Sequence, residues 1–192
     1  MNHKHDKENV IKVGLGLFCK KGYSSLGIDE ICKTTGMTKG AFYHSFKSKE
    51  QFLIETVMLY GANNVKRIQN ELNSNVEITA LERLQNFYTK MFEAQPKNQF
   101  IGCFINNIMS ELGAVNPIIG KLSSIEFDKF IDAIEPTVKA AQAEGSLKND
   151  IDSRSITELL HATFYGLLTK AKSNQDYQQS INTFNLLLAN LK

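Results

Sequence analysis

Residues 28–50 read IDEICKTTGMTKGAFYHSFKSKE. Ile28 and Ile31 stand three apart, so they share one face of a short helix. Gly36 is the residue type that ends a helix at positive φ with little steric cost. Two residues on, Thr38 offers a side-chain oxygen to cap a second helix carrying Lys39, Gly40, Ala41, Phe42, Tyr43 and His44. Phe42 and Phe46, four apart, point that helix inward and leave Lys39, Tyr43 and His44 facing out. Two short helices around a glycine turn, the second with basic and hydroxyl groups exposed, is the sequence form of a helix-turn-helix.

Extended to residues 22–52, GYSSLGIDEICKTTGMTKGAFYHSFKSKEQF resembles the DNA-binding signature of the TetR/AcrR family of bacterial transcriptional regulators. The matching positions are Gly22-Tyr23, the helix from Ile28 to Thr34, Gly36 to Gly40, Phe42-Tyr43, Phe46 and Lys49-Glu50. Where members usually carry Thr-Ser, this chain has Leu26-Gly27, so the first helix of the motif must be capped without a hydroxyl. The resemblance implies an all-α protein of about nine helices. A three-helix DNA-binding domain, residues 1–50, precedes a helical ligand-binding and dimerisation domain, residues 51–192. It implies that Thr38 and the first amides of the second helix meet phosphate, with Lys39, Tyr43 and Lys49 also on the backbone. Gly40, Ala41 and His44 would approach base edges, and phosphate contacts set register while base-edge contacts specify sequence. The bland reading makes all of these ordinary surface residues of a small bundle.

Composition agrees with this reading. The chain has 192 residues, 42% of them hydrophobic, and a net charge of +2. Residues 1–50 hold nine Lys/Arg against five Asp/Glu, and residues 51–192 hold thirteen against fifteen, so the basic end is the end with the motif. Cys19, Cys32 and Cys103 are scattered with no Cys-x-x-Cys pair, which argues against a zinc site and a disulfide framework. No metal and no cofactor are expected, and His3 and His5 read as incidental residues of a flexible arm over residues 1–6. The polar start lacks the apolar core of a signal peptide, and no apolar run is long enough to span a membrane. The expected address is the cytoplasm.

Along the chain, a first helix is expected from Lys7 to Lys21, closed by Gly22, with close packing as one explanation for Gly14. Ser48 with Gln51 reads as a capping box opening a helix of some 25 residues to about Leu72. Asn73-Ser74-Asn75 breaks the chain, and a helix follows from about Glu77 to Ala94. The next is expected near Gly102, with Cys103 in its first turn. Another runs from Asn116-Pro117 to about Glu144, kinked at Pro136 and closed by Gly145. Asp152 is expected to cap the eighth helix. Ile156, Leu159, Leu160, Thr163, Phe164, Leu167 and Leu168 line its apolar face, and Ile181, Phe184, Leu188 and Leu191 line that of the ninth. By resemblance these last two helices pair with their copies in a homodimer, which reads a palindromic operator on double-stranded DNA.

Tyr88, Met91, Phe104, Asn107, Phe127, Phe164 and Tyr165 are the candidates to line a pocket for a small apolar effector. Each has the alternative of being plain core. Asn106, Asn107 and His161, on otherwise apolar helices, are candidates to orient a ligand or are satisfied core polars. Cys103 near a helix N-terminus, with Lys172 late in the eighth helix, resembles the branch of the family that responds to electrophiles and oxidants through a cysteine. The alternative is an inert buried thiol. Two other classes stay open: a helical carrier of small molecules, and an enzyme with Cys103 as nucleophile, for which no activating base is placed by motif.

Overall fold

Three local devices set the N-terminal architecture: a glycine that breaks α1, a left-handed glycine that ends α2, and a threonine that caps α3. The computed structural model describes residues 6–74 and 77–192. His3, His5 and Asn75 therefore lie outside the described residues. These form an all-α chain: α1 (Lys7–Ser25), α2 (Ile28–Thr35), α3 (Lys39–Phe46), α4 (Lys49–Asn73), α5 (Ala80–Glu93), α6 (Phe104–Leu112), α7 (Pro117–Ala143), α8 (Ser153–Asn174) and α9 (Tyr177–Asn190).

The chain forms two compact units. One takes the chain up to Asn63 together with Phe104–Glu126; the other takes Asn64–Cys103 and Phe127–Lys192. The first unit therefore gathers α6 and the start of α7 onto the N-terminal helices, although they follow far later in sequence.

Within the first unit, α1 is interrupted at Gly22, whose φ of 73° lies in the left-handed region. The amides freed beyond it, Tyr23 N–H and Ser24 N–H, donate to the Glu111 carboxylate of α6 at 2.9 and 2.8 Å. Those bonds hold the Glu111 carboxyl below the usual range, although burial alone pushes it up. The core is a cluster of rings, Phe18, Phe42, Phe46 and Phe52, with centroids 4.7–5.7 Å apart along successive pairs. Gly14 faces this cluster: a Cβ there would stand 2.2 Å from Cζ of Phe52, so α1 and α4 meet at a distance only glycine allows. Asn116 Nδ2 donates to Glu50 at 2.7 Å and ties the start of α7 to the start of α4.

In the second unit, α9 packs against both α5 and α8. Its core includes Tyr88, Phe92, Phe164 and Phe184, all fully buried. Thr79 caps α5 reciprocally with Glu82, which starts that helix at Ala80 rather than at Glu77. Asp152 caps α8 through Ser155 N–H at 2.9 Å, as expected. Arg154 of α8 pairs with Asp132 of α7 and stands 3.5 Å from Glu135. Helix α7 continues through Pro136 and closes at Gly145, with φ 73°. Cys103 does not enter the first turn of α6, which begins one residue later; the preceding loop is folded by Gln95, whose Oε1 accepts Gly102 N–H at 3.2 Å. No helix among the described residues is long and apolar enough to cross a membrane, and no group of three His, Cys, Asp or Glu among them is placed to hold a metal.

Candidate nucleic-acid interface

Helix α3 is presented by what surrounds it. Gly36, at φ 71°, turns the chain after α2, and Met37 is buried beneath the turn. Thr38 then accepts Ala41 N–H at 3.1 Å, so α3 begins with its first amides directed outward. Phe42 and Phe46 are fully buried and fix which side is inner. The outer side carries Thr38, Lys39, Gly40, Tyr43 and His44, all exposed, with Ala41 half-buried between them. Tyr43 is 48% exposed, its ring set edge-on to Phe42 with centroids 5.7 Å apart.

Two features point to an approaching backbone. The N-terminus of α3 offers N–H groups and the positive end of the helix dipole, a fitting seat for phosphate. Gly40 has no internal reason to be glycine: the nearest atom to an added Cβ would be Thr38 Oγ1 at 3.9 Å. A side chain there is excluded by nothing inside the protein, so the surface at Gly40 is open to close approach from outside. Lys39 meets Asp29 of α2 at 2.6 Å, and the hydrogen bond and charge of Asp29 raise its pKa, so it is firmly cationic. Lys33 and Lys47 are also exposed close by in sequence. Lys47 was not singled out from sequence; the only signal was its place one residue past α3, where it caps the helix at φ 65°.

Lys49, expected to meet phosphate, has internal partners in the free chain. Its Nζ donates to the carbonyls of Tyr23 and Leu26 at 2.9 and 3.0 Å and lies 4.1 Å from the centre of the Tyr23 ring. The ammonium satisfies carbonyls left over by the break at Gly22, which turns it inward. Gly27 caps α2 without a side-chain hydrogen bond, as the Leu26-Gly27 departure implies.

The pocket candidates divide between the units. Phe104 and Asn107 belong to the first, where Phe104 is buried against Tyr60 and Phe18, with centroids 5.4 and 6.3 Å away. Phe104 is core there, because α6 docks on α1. Tyr88, Met91, Phe127, Phe164 and Tyr165 belong to the second. Four of these five, all but Met91, surround His161, which lies 4.6 Å from Tyr165, 5.6 Å from Phe127, 5.7 Å from Phe164 and 6.1 Å from Tyr88, centre to centre. Burial among these rings holds the imidazole pKa down to about 3. Cys103 is 7% exposed, and its Sγ donates to the Tyr165 hydroxyl at 3.3 Å. Lys172 is exposed, seven residues beyond Tyr165 on α8, about 10 Å along the axis at 1.5 Å per residue.

Comparison with known proteins agrees with this geometry. Residues 10–56 match the family described as bacterial regulatory proteins, tetR family, and residues 80–184 match the tetracyclin repressor-like C-terminal domain. The transcriptional regulator AcuR from Cereibacter sphaeroides is 30% identical over 174 residues, covering 86% of this chain and 75% of AcuR. A crystal structure of a regulatory protein TetR from Rhodobacter sphaeroides superposes with a TM-score of 0.83 at 26% identity, covering 94% of this chain and 95% of that one. The reduced form of NemR from E. coli superposes with a TM-score of 0.83 at 22% identity, over 96% and 95% of the two chains, and so shares the fold. The outward face of α3 and these matches together make the chain a member of the TetR family, a DNA-binding regulator of transcription and not an enzyme.

Proposed function

We propose that this protein is a cytoplasmic, homodimeric repressor that holds a palindromic operator with α3 of each copy and releases it when an effector engages the C-terminal domain. Residues 1–50 carry DNA binding in this reading, and residues 51–192 carry effector binding and dimerisation. The observation that supports it most is the set of outward groups on α3, Thr38, Lys39, Gly40, Tyr43 and His44, above a fully buried Phe42 and Phe46. One such helix makes few contacts, so a two-fold dimer supplies the rest, with half-sites about 34–36 Å apart or a multiple of that. Helices α8 and α9 leave Leu159 and Leu186 46% and 65% exposed, apolar surface suited to a second copy. Selection of bound fragments from random DNA, with light scattering of the same sample, tests this. A two-fold symmetric site and a dimer mass are expected; a monomer, or no DNA retained at low salt, rules it out.

The effector is a small apolar molecule, or an electrophile or oxidant acting on Cys103. The hydrogen bond from Cys103 to Tyr165 favours keeping the second version, because it links the thiol to the aromatic surroundings of His161. Cys103→Ser separates the two. If N-ethylmaleimide still releases DNA from this variant, the thiol route is wrong and the operator reading stands.

A further inference from the structure

His161 is the imidazole among the aromatic rings of the second unit. It is 1% exposed, and its Nε2 is buried without a hydrogen-bond partner. Its other nitrogen, Nδ1, lies 3.3 Å from the hydroxyl of Tyr88, which is itself fully buried. The contact can run either way, and each way leaves one buried hydrogen without an acceptor. With the phenol as donor, Nδ1 accepts and the ring hydrogen sits on Nε2. In that tautomer the buried N–H has no acceptor, and the imidazole stands among Phe127, Phe130, Phe164, Tyr165 and Tyr88, whose centroids lie 4.6–6.1 Å from it. Phe127 is half-buried where the other four rings are buried, so it is the wall nearest solvent.

We propose that His161 Nε2–H is the anchoring donor of the effector site, and that it selects an uncharged, largely apolar or aromatic molecule bearing a single acceptor oxygen of the carbonyl type. This rests on reading the C-terminal domain as the effector-binding part. A buried donor among rings gains when an acceptor replaces apolar contact, and it discriminates strongly against the same shape without that oxygen. Charge is disfavoured in the ligand. The imidazole stays neutral at pH 7, and a carboxylate would be desolvated among phenyl rings. Tyr165 also accepts from Cys103, so a ligand held here rests against the ring that holds the thiol.

The test uses the full chain with acetophenone, cumene and benzoate as probes, by titration calorimetry. Cumene matches the shape of acetophenone without the oxygen, and benzoate adds a charge. Acetophenone is expected to bind about tenfold more tightly than cumene, with benzoate weaker than both. His161→Phe should lower acetophenone affinity about tenfold and leave cumene within about twofold. His161→Gln keeps an N–H donor and should recover part of the loss. A long-range 15N–1H spectrum should place the His161 hydrogen on Nε2, assigned by its loss in His161→Gln, and this readout stands if His161→Phe fails to fold. The proposal is overturned by equal affinity for acetophenone and cumene, by wild-type affinity in His161→Phe, by binding of neither probe, or by a hydrogen on Nδ1. A gel shift on the same samples separates the two readings. DNA retained with no preference for acetophenone removes the anchoring role and leaves the regulator. Acetophenone bound through His161 with no effect on DNA removes the effector role and leaves the site.

Discussion

A Cβ on Gly14 would lie 2.2 Å from Cζ of Phe52, well inside any real contact distance. Gly16, two residues on in the same helix, has nothing within 4 Å of the same position. The two glycines therefore answer opposite demands, one of packing and one of none. Gly16→Ala is expected to stabilise the protein by up to about 1 kcal/mol through helix propensity. Gly14→Ala is expected to lose about 1–3 kcal/mol, because the overpacking outweighs the same propensity gain. Urea unfolding of the pair checks the sign of each.

The two lysines that flank the α3 region separate in the same way. Lys39→Ala should leave the unfolding midpoint nearly unchanged, since its pairing with Asp29 is exposed at both ends. It should weaken DNA binding and reduce the slope of log affinity against log salt by about one. Lys49→Met should lower stability by about 1–3 kcal/mol, because it leaves the Tyr23 and Leu26 carbonyls without their donor. A gel shift over a salt series, beside thermal unfolding, tells these effects apart. An unchanged salt slope in Lys39→Ala removes that residue from the docking face.

Gly40→Ala supplies a cleaner probe of that face. The free protein has room for the methyl group, so stability should rise by up to about 1 kcal/mol. Operator affinity should fall all the same if α3 lies against DNA. A variant that is both more stable and equally tight on DNA would mean that this part of α3 stands clear of the duplex.

Glu111 reports on the junction between α1 and α6. Glu111→Gln should speed hydrogen exchange at the Tyr23 and Ser24 amides, which now donate to a carboxylate. The folded carboxyl titrates below its usual value, so the stability it adds is present above about pH 4.5 and is lost as pH falls through the lower folded value. Exchange at these two amides that is as slow in Glu111→Gln as in the wild type would show that the carboxylate is not what holds them.

His161 carries a pH dependence of the same sign over a higher range. Unfolded, it takes up a proton as pH falls through about 6.5; folded, it resists until about 3. Its contribution is therefore complete above pH 6.5 and falls by about 1.4 kcal/mol per pH unit between the two values. Between pH 7 and pH 5 the wild type should lose about 2 kcal/mol more than His161→Phe does. Parallel stability curves for the two proteins over that interval would show that the imidazole is solvated.

The sequence by itself determined what is local in this protein. Gly36, Thr38, Ser48 and Asp152 act within three or four residues, through positive φ or a single side-chain oxygen, so their effect is written beside them and does not wait on the fold. The same holds for Phe42 and Phe46 turning α3 inward, and for the Thr79–Glu82 box, whose two members stand three residues apart. Tertiary structure alone decided what depends on partners far along the chain. Lys49 turns inward because the break at Gly22 leaves carbonyls within its reach, 26 and 23 residues away. Phe104 is core because α6 docks on α1, and the imidazole of His161 meets the hydroxyl of a tyrosine 73 residues earlier. A long flexible side chain or a two-faced imidazole takes its role from whichever group the fold brings within about 3 Å, and a linear pattern holds no record of that distance.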